Sequence, residues 1–209
     1  MSGAPATGLT VTVPVADRLV VVVGAGAVAA RRVATLVGLG ARVVVVAPVI
    51  CPELADRARA GEIEVRERSF APDDVDGAHL VFAATDVAAV NAEVRIRARA
   101  AGAWVNRADD PAECDFTVLP AVRRGDLVVA VGTGGRSPAL AAHLRERLAD
   151  ELEGYEAVLE LLADTRAEVR AAGGSSEDVD WRRAFSEGIV DLVRDGRIDE
   201  ARELLSRCR

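Results

Sequence analysis

The chain has 209 residues, half of them hydrophobic and 28% charged, a balance that excludes wholesale disorder and a core too small to stand without disulfides. Its 33 acids against 26 bases give a net charge of −7, which argues against nucleic-acid binding over a broad surface. All 26 bases are Arg, and the lack of Lys excludes both a Walker-A phosphate loop and Schiff-base lysine chemistry.

Met1–Gly8 is small and polar and reads as a loose tail. From there the pattern alternates strand and helix. Thr10–Val15 alternates apolar and polar residues, and Leu19–Val23 and Val43–Val46 are β-branched runs of the kind buried on both faces of a parallel sheet. Helices are expected over Ala27–Leu39, Cys51–Ala60 and Val87–Ala101, with strands at Ile63–Arg66, Leu80–Ala84 and Trp104–Asn106. Strands separated by helices in this way form βαβ units.

The style changes near residue 112. Phe116–Leu119 and Leu127–Val131 read as strands flanking the turn-like Arg123-Arg124-Gly125-Asp126. A Gly-rich turn leads to a helix from Ser137 to about Leu152, and Tyr155–Arg170 and Trp181–Arg207 read as helical. The expected organisation is an α/β nucleotide-binding domain over 1–112, a β-plus-helix segment over 113–150 and a helical part over 151–209. No apolar run approaches the roughly 20 residues of a membrane span, and the N-terminus lacks signal-peptide order, so a cytoplasmic protein is expected. Cys51, Cys114 and Cys208 are too far apart for a zinc motif and fit a reduced compartment.

Gly24-Ala25-Gly26-Ala27-Val28-Ala29 matches G-x-G-x-x-[GA] between a strand and a helix, the context in which this motif binds a dinucleotide. Gly24 permits the tight turn, Gly26 lets the backbone approach a pyrophosphate, and the helix N-terminus offers free N–H groups. The same residues also suit a plain Gly-rich turn. The second strand ends Val46-Ala47-Pro48-Val49, without the usual carboxylate for a ribose hydroxyl, so NAD and NADP are not separated by this test.

Ala83-Ala84-Thr85-Asp86 ends another strand, where Thr85 can reach a cofactor ribose and Asp86 suits a helix N-cap. Asn106-Arg107-Ala108-Asp109-Asp110-Pro111 lies at the next strand end, and its Asp-Asp-Pro equally suits a solvated turn. Gly132-Thr133-Gly134-Gly135-Arg136-Ser137-Pro138 is an anion-friendly turn into a helix, with Ser137 as its cap. His79 and His143 stand apart from each other and from any Cys.

Together these segments, spanning residues 10 to about 150, make the chain resemble the precorrin-2 dehydrogenase / sirohydrochlorin ferrochelatase family, the N-terminal module of sirohaem synthase, in its stand-alone form. The resemblance implies a Rossmann-like domain and NAD-dependent oxidation of precorrin-2 to sirohydrochlorin. In some members Fe²⁺ is then inserted as a second substrate. It also implies a C₂ homodimer. It places the catalytic carboxylate at Asp109 and the family's hydroxyl, Ser in many members, at Thr133. Cofactor contacts fall on Gly24, Gly26, Ala27, Val28, Pro48 and Val49, joined by Thr85 and Asn106 from their strand-end positions. The substrate is a polycarboxylate, for which Arg107 and Arg136, with Thr133 and Gly134, are the candidate partners and Arg123 and Arg124 further donors. A non-catalytic NAD-binding regulatory module is the alternative; it would keep the Gly24–Ala29 fingerprint but has no use for Asp109.

Overall fold

The computed structural model describes residues 8–209, which divide into two compact units, Gly8–Val118 and Leu119–Arg209. The first is built on a parallel sheet of five strands: β1 (Leu19–Val23), β2 (Arg42–Val46), β3 (Glu64–Arg66), β4 (Leu80–Ala83) and β5 (Trp104–Arg107). Their spatial order is β3-β2-β1-β4-β5, so the chain reverses direction across the sheet between β1 and β4. In open α/β sheets ligands bind at the carboxyl side of such a switch point. The fold is a Rossmann-like parallel sheet, as the strand–helix alternation predicts.

Valine runs form these strands because both faces are covered. Val20, Val22, Val43 and Val45 point to the face holding Ala29, Val33 and Leu36 of helix α1 (Ala27–Gly38) and Leu54 of α2 (Pro52–Arg59). Val21, Val23, Val44 and Val46 point the other way, against Val94 and Ala98 of α3 (Ala88–Ala100). The period of two that sends alternate side chains to opposite faces thus fills two apolar layers from one run. Asp74, in a 3₁₀ turn at Pro72–Val75, is 2% exposed yet charged. Burial alone would raise its pKa, but Arg68, the Ala71 N–H and Arg66 outweigh this and hold it at about 2.

The second unit contains an antiparallel hairpin, β6 (Ala121–Arg124) and β7 (Leu127–Ala130), then α4 (Pro138–Glu151), α5 (Tyr155–Ala171), α6 (Trp181–Ser186), α7 (Ile189–Arg194) and α8 (Ile198–Arg207). Val158, Leu161, Ile189, Leu204 and Leu205 form a core of their own. By contrast α4 buries only Ala141.

Several expectations need correction. Thr10–Val15 joins no sheet: Val11 and Val13 are exposed and only Val15 is buried. Phe116–Leu119 is not a strand of the hairpin. Asp115 instead bonds back to β5, its N–H donating to the Val105 carbonyl at 2.8 Å and its carboxylate accepting from the Val105 N–H at 2.9 Å. Phe116 then packs edge-on against Phe82, with ring centres 5.4 Å apart, so residues 113–118 belong with the first unit. The hairpin turn is the two residues Gly125-Asp126. The expected helix Trp181–Arg207 is three, interrupted at Gly188, whose φ of 87° a right-handed helix does not tolerate, and again before Ile198. Of the expected tail, residues 1–7 lie outside the described residues. Among the described residues no helix is long and apolar enough to cross a membrane.

Candidate functional site

Gly24 ends β1 with φ 112°, and a Cβ built there would meet the Ala84 carbonyl oxygen at 2.3 Å. The first glycine therefore lets the β1–α1 loop touch the β4–α3 loop at the switch point. Gly26 differs. It is the N-cap of α1, and a Cβ there meets nothing within 4 Å, so its outer side faces open space. The first turn of α1 carries no acidic residue, and its leading N–H groups have no intrahelical acceptor. This cradle suits a pyrophosphate. Around it the first turn of α1 exposes Val28 at 42%, and the loops beyond β2 and β4 expose Val49 at 77% and Val87 at 55%, apolar surface suited to flat rings. The residues present fit a dinucleotide.

Thr85 and Asp86 follow β4. Asp86 does not cap α3: the helix starts one residue later, and Thr85 Oγ1 accepts from the Val87 N–H at 3.2 Å. Thr85 is gripped by Asn91, a wholly buried residue of α3. The Asn91 Oδ1 accepts from the Thr85 N–H at 3.1 Å and from its hydroxyl at 2.7 Å, while Nδ2 donates to the Thr85 carbonyl at 2.9 Å. Sequence reading overlooks Asn91, because a lone Asn within a helix resembles surface polarity.

Asp109, the candidate carboxylate, lies two residues beyond β5. Arg107 donates to Asp109 side-on in a bidentate pair, Nε to Oδ1 at 3.2 Å and Nη2 to Oδ2 at 2.7 Å. The hydrogen-bonded Arg107 guanidinium holds the Asp109 carboxyl below its ordinary pKa. Asp110 serves the backbone instead, accepting from the Ala112 N–H at 3.1 Å and capping the 3₁₀ turn Pro111–Glu113. Cys114 ties the loop closed. Its sulfur accepts from the Arg107 N–H at 3.1 Å and its thiol donates to the Arg107 carbonyl at 3.3 Å, and burial pushes its pKa up, which keeps the proton on sulfur. Asn106, expected at the cofactor, donates to the Phe116 carbonyl at 2.9 Å. Pro48 and Val49 stand at the end of β2, where no side-chain carboxylate is present.

The remaining candidates are in the second unit. Thr133 to Arg136 form a tight turn, closed by the Arg136 N–H on the Thr133 carbonyl at 3.1 Å, with Gly134 and Gly135 at φ 60° and 74°. Thr133 Oγ1 donates to the Ser137 carbonyl at 3.2 Å, and Ser137 Oγ caps α4 by accepting from the Leu140 N–H at 3.2 Å. Arg136 and Arg123 are exposed, and each guanidinium lacks an ion pair among the described residues. Arg124 donates to the Ala149 carbonyl at 3.1 Å.

Fold and loop geometry define a dinucleotide-binding protein. The family model described as putative NAD(P)-binding matches residues 11–120, and that described as sirohaem biosynthesis protein central matches 124–151. The chain belongs to the first of these families. It is 34% identical over 202 residues to a siroheme synthase of Photorhabdus laumondii, covering 95% of this chain and 43% of the relative. A siroheme synthase of Thioalkalivibrio sulfidiphilus is 38% identical over 194 residues, covering 91% and 40%. The chain thus spans less than half the length of these relatives. The solved structure of SirC, precorrin-2 dehydrogenase, superposes with a TM-score of 0.70 at 24% identity, covering 96% of this chain and 98% of that one.

Proposed function

We propose that the protein is an NAD-dependent dehydrogenase that oxidises precorrin-2 to sirohydrochlorin. The likeness to siroheme synthases over nearly the whole chain supports this reading. The observation that carries it is Asp109, a carboxylate kept ionised at the carboxyl end of the sheet that also presents the Gly24–Val28 cradle. A regulatory module that only senses NAD has no use for such a base.

Gly24, Gly26, Ala27 and Val28 would hold the pyrophosphate, and Pro48, Val49 and Thr85 the flanking ribose and ring surfaces. When bound, NAD supplies the hydride acceptor. Oxidation of the macrocycle also releases a proton, and Asp109 takes it. Thr133, Gly134 and Arg136 serve the substrate's carboxylates, Arg136 through a guanidinium that spends nothing on an internal partner. Fe²⁺ enters this reading only as a second substrate, with the macrocycle providing four nitrogens and Asp109 available for the displaced pyrrole protons. A second copy of the chain completes the enzyme: α4 leaves Leu140 and Leu144 exposed at 49% and 38%, and β7 leaves Val128 at 42%.

The test is tetrapyrrole absorbance on mixing enzyme with precorrin-2, with and without NAD. NAD-dependent conversion is expected. Asp109→Ala should keep the fold and NAD affinity but lower the rate by roughly 10²–10⁴. Asp110→Ala should cost about 1 kcal/mol of stability through its lost cap and little activity. Equal activities in the two variants would remove Asp109 from the chemistry.

A further inference from the structure

We propose that Arg107 is the positioning residue of this site: it holds Asp109 in one orientation as a carboxylate, instead of taking a carboxylate of the substrate. The inference rests on reading Asp109 as the base. The guanidinium grips Asp109 side-on, through Nε at 3.2 Å and Nη2 at 2.7 Å, and the Arg107 side chain is 10% exposed against 29% for Asp109. A guanidinium so enclosed has little surface left for a second anion, and the bidentate fork fixes the plane of the carboxylate as well as its distance.

The backbone prevents the arginine from swinging away. Cys114 pairs with both the N–H and the carbonyl of Arg107, and the next residue, Ala108, donates to the Ala83 carbonyl of β4 at 2.9 Å. Asn91 on α3 grips Thr85, so one buried amide fixes the loop beyond β4 against which the β5 loop is bonded through Ala108. The other charges facing this pair are Asp110 and Glu113 in the following turn. Arg95 of α3 neutralises Glu113 at 2.7 Å, and the Cys114 thiol is protonated and adds no charge.

A chemical consequence follows. A carboxylate held by an arginine is a weak base and does not retain the proton it removes. With bound NAD supplying the hydride acceptor, the proton lost from the substrate would go to Asp109. Asp109 then passes that proton to water on its exposed side, while Arg107 stays protonated throughout.

The experiment compares Arg107→Met, Arg107→Lys and Asp109→Asn in the full chain. It follows NAD affinity by calorimetry, the Asp109 carboxyl by ¹³C NMR titration, and the pH dependence of kcat/KM. In Arg107→Met the Asp109 titration and the acid limb of the rate profile should both move to higher pH, with NAD affinity unchanged. Lys keeps the charge but not the fork, so Arg107→Lys should lie between Met and wild type, and it carries the test if the Met variant does not fold. An unmoved Asp109 titration, with KM for precorrin-2 raised roughly tenfold or more, would overturn the inference and make Arg107 a substrate ligand. Asp109→Asn separates the two claims: full activity there would sink the reading of Asp109 as base, whereas the NMR titration still judges Arg107.

Discussion

The two units carry their candidate site residues in opposite ways. In Gly8–Val118 the loops beyond the strands are wired into the fold: Gly24 lies against Ala84, Asn91 clasps Thr85, and Cys114 brackets Arg107. In Leu119–Arg209 the Thr133–Arg136 turn is closed mainly by its own backbone, and the helix after it buries one residue of fourteen. For the proposed base and pyrophosphate cradle, precision demands buried support, because a small displacement of either misplaces the reacting atoms. On the proposed reading, the carboxylates of the substrate ask for exposed donors. The same type of motif, a Gly-rich turn leading into a helix, is therefore part of the core in one unit and surface in the other.

Substitutions can break or sharpen that contrast. The largest effect is expected at Gly24. Gly24→Ala sets a methyl 2.3 Å from a backbone oxygen at φ 112°, and chemical denaturation should show a loss of roughly 2–4 kcal/mol. Gly26→Asp, with open space around it, should stay folded and lose NAD binding by calorimetry. A destabilised Gly26→Asp would erase the distinction between the two glycines.

Asp74 comes next. Its pKa is depressed to about 2 from an ordinary value near 3.9, so its contribution is fully present above pH ~5 and is lost as pH falls toward 2. That contribution is about 2 kcal/mol, and Asp74→Asn should remove it, flattening the acid limb of the stability profile. An unchanged profile would mean that the two arginines contribute nothing net.

Effects in the second unit should be smaller. Ser137→Ala loses one cap bond and about 1 kcal/mol in the same denaturation experiment. Smallest for the fold of a single protomer is Leu140→Asp with Leu144→Asp, which should leave the helical signal intact while light scattering reports a monomer. A double variant that remains dimeric would move the proposed interface off α4.

Much of the first unit is legible in the sequence, since valine runs bounded by Gly and helical segments have one economical solution in a parallel sheet. Asp109 is legible by its place just past a strand. Less visible is what holds it. Asn91 and Cys114 look ordinary as letters, a polar residue in a helix and a lone thiol, and their partners lie six and seven residues away across closed loops. Asp86 has the right type for a cap, yet α3 starts one residue later, at a Val87 N-cap with no side-chain cap, and the Val87 N–H is taken by Thr85.

The sequence by itself determined the layers, the Gly-rich turn after β1 and the place of Asp109 just past β5, because these follow from periodicity and from local backbone requirements. Only the tertiary structure decided that Phe116 returns to the first sheet, that the C-terminal helix breaks into three, and that Arg107 faces Asp109. Those outcomes depend on which surfaces meet once the chain has closed, and contacts between closed loops leave no period in a sequence.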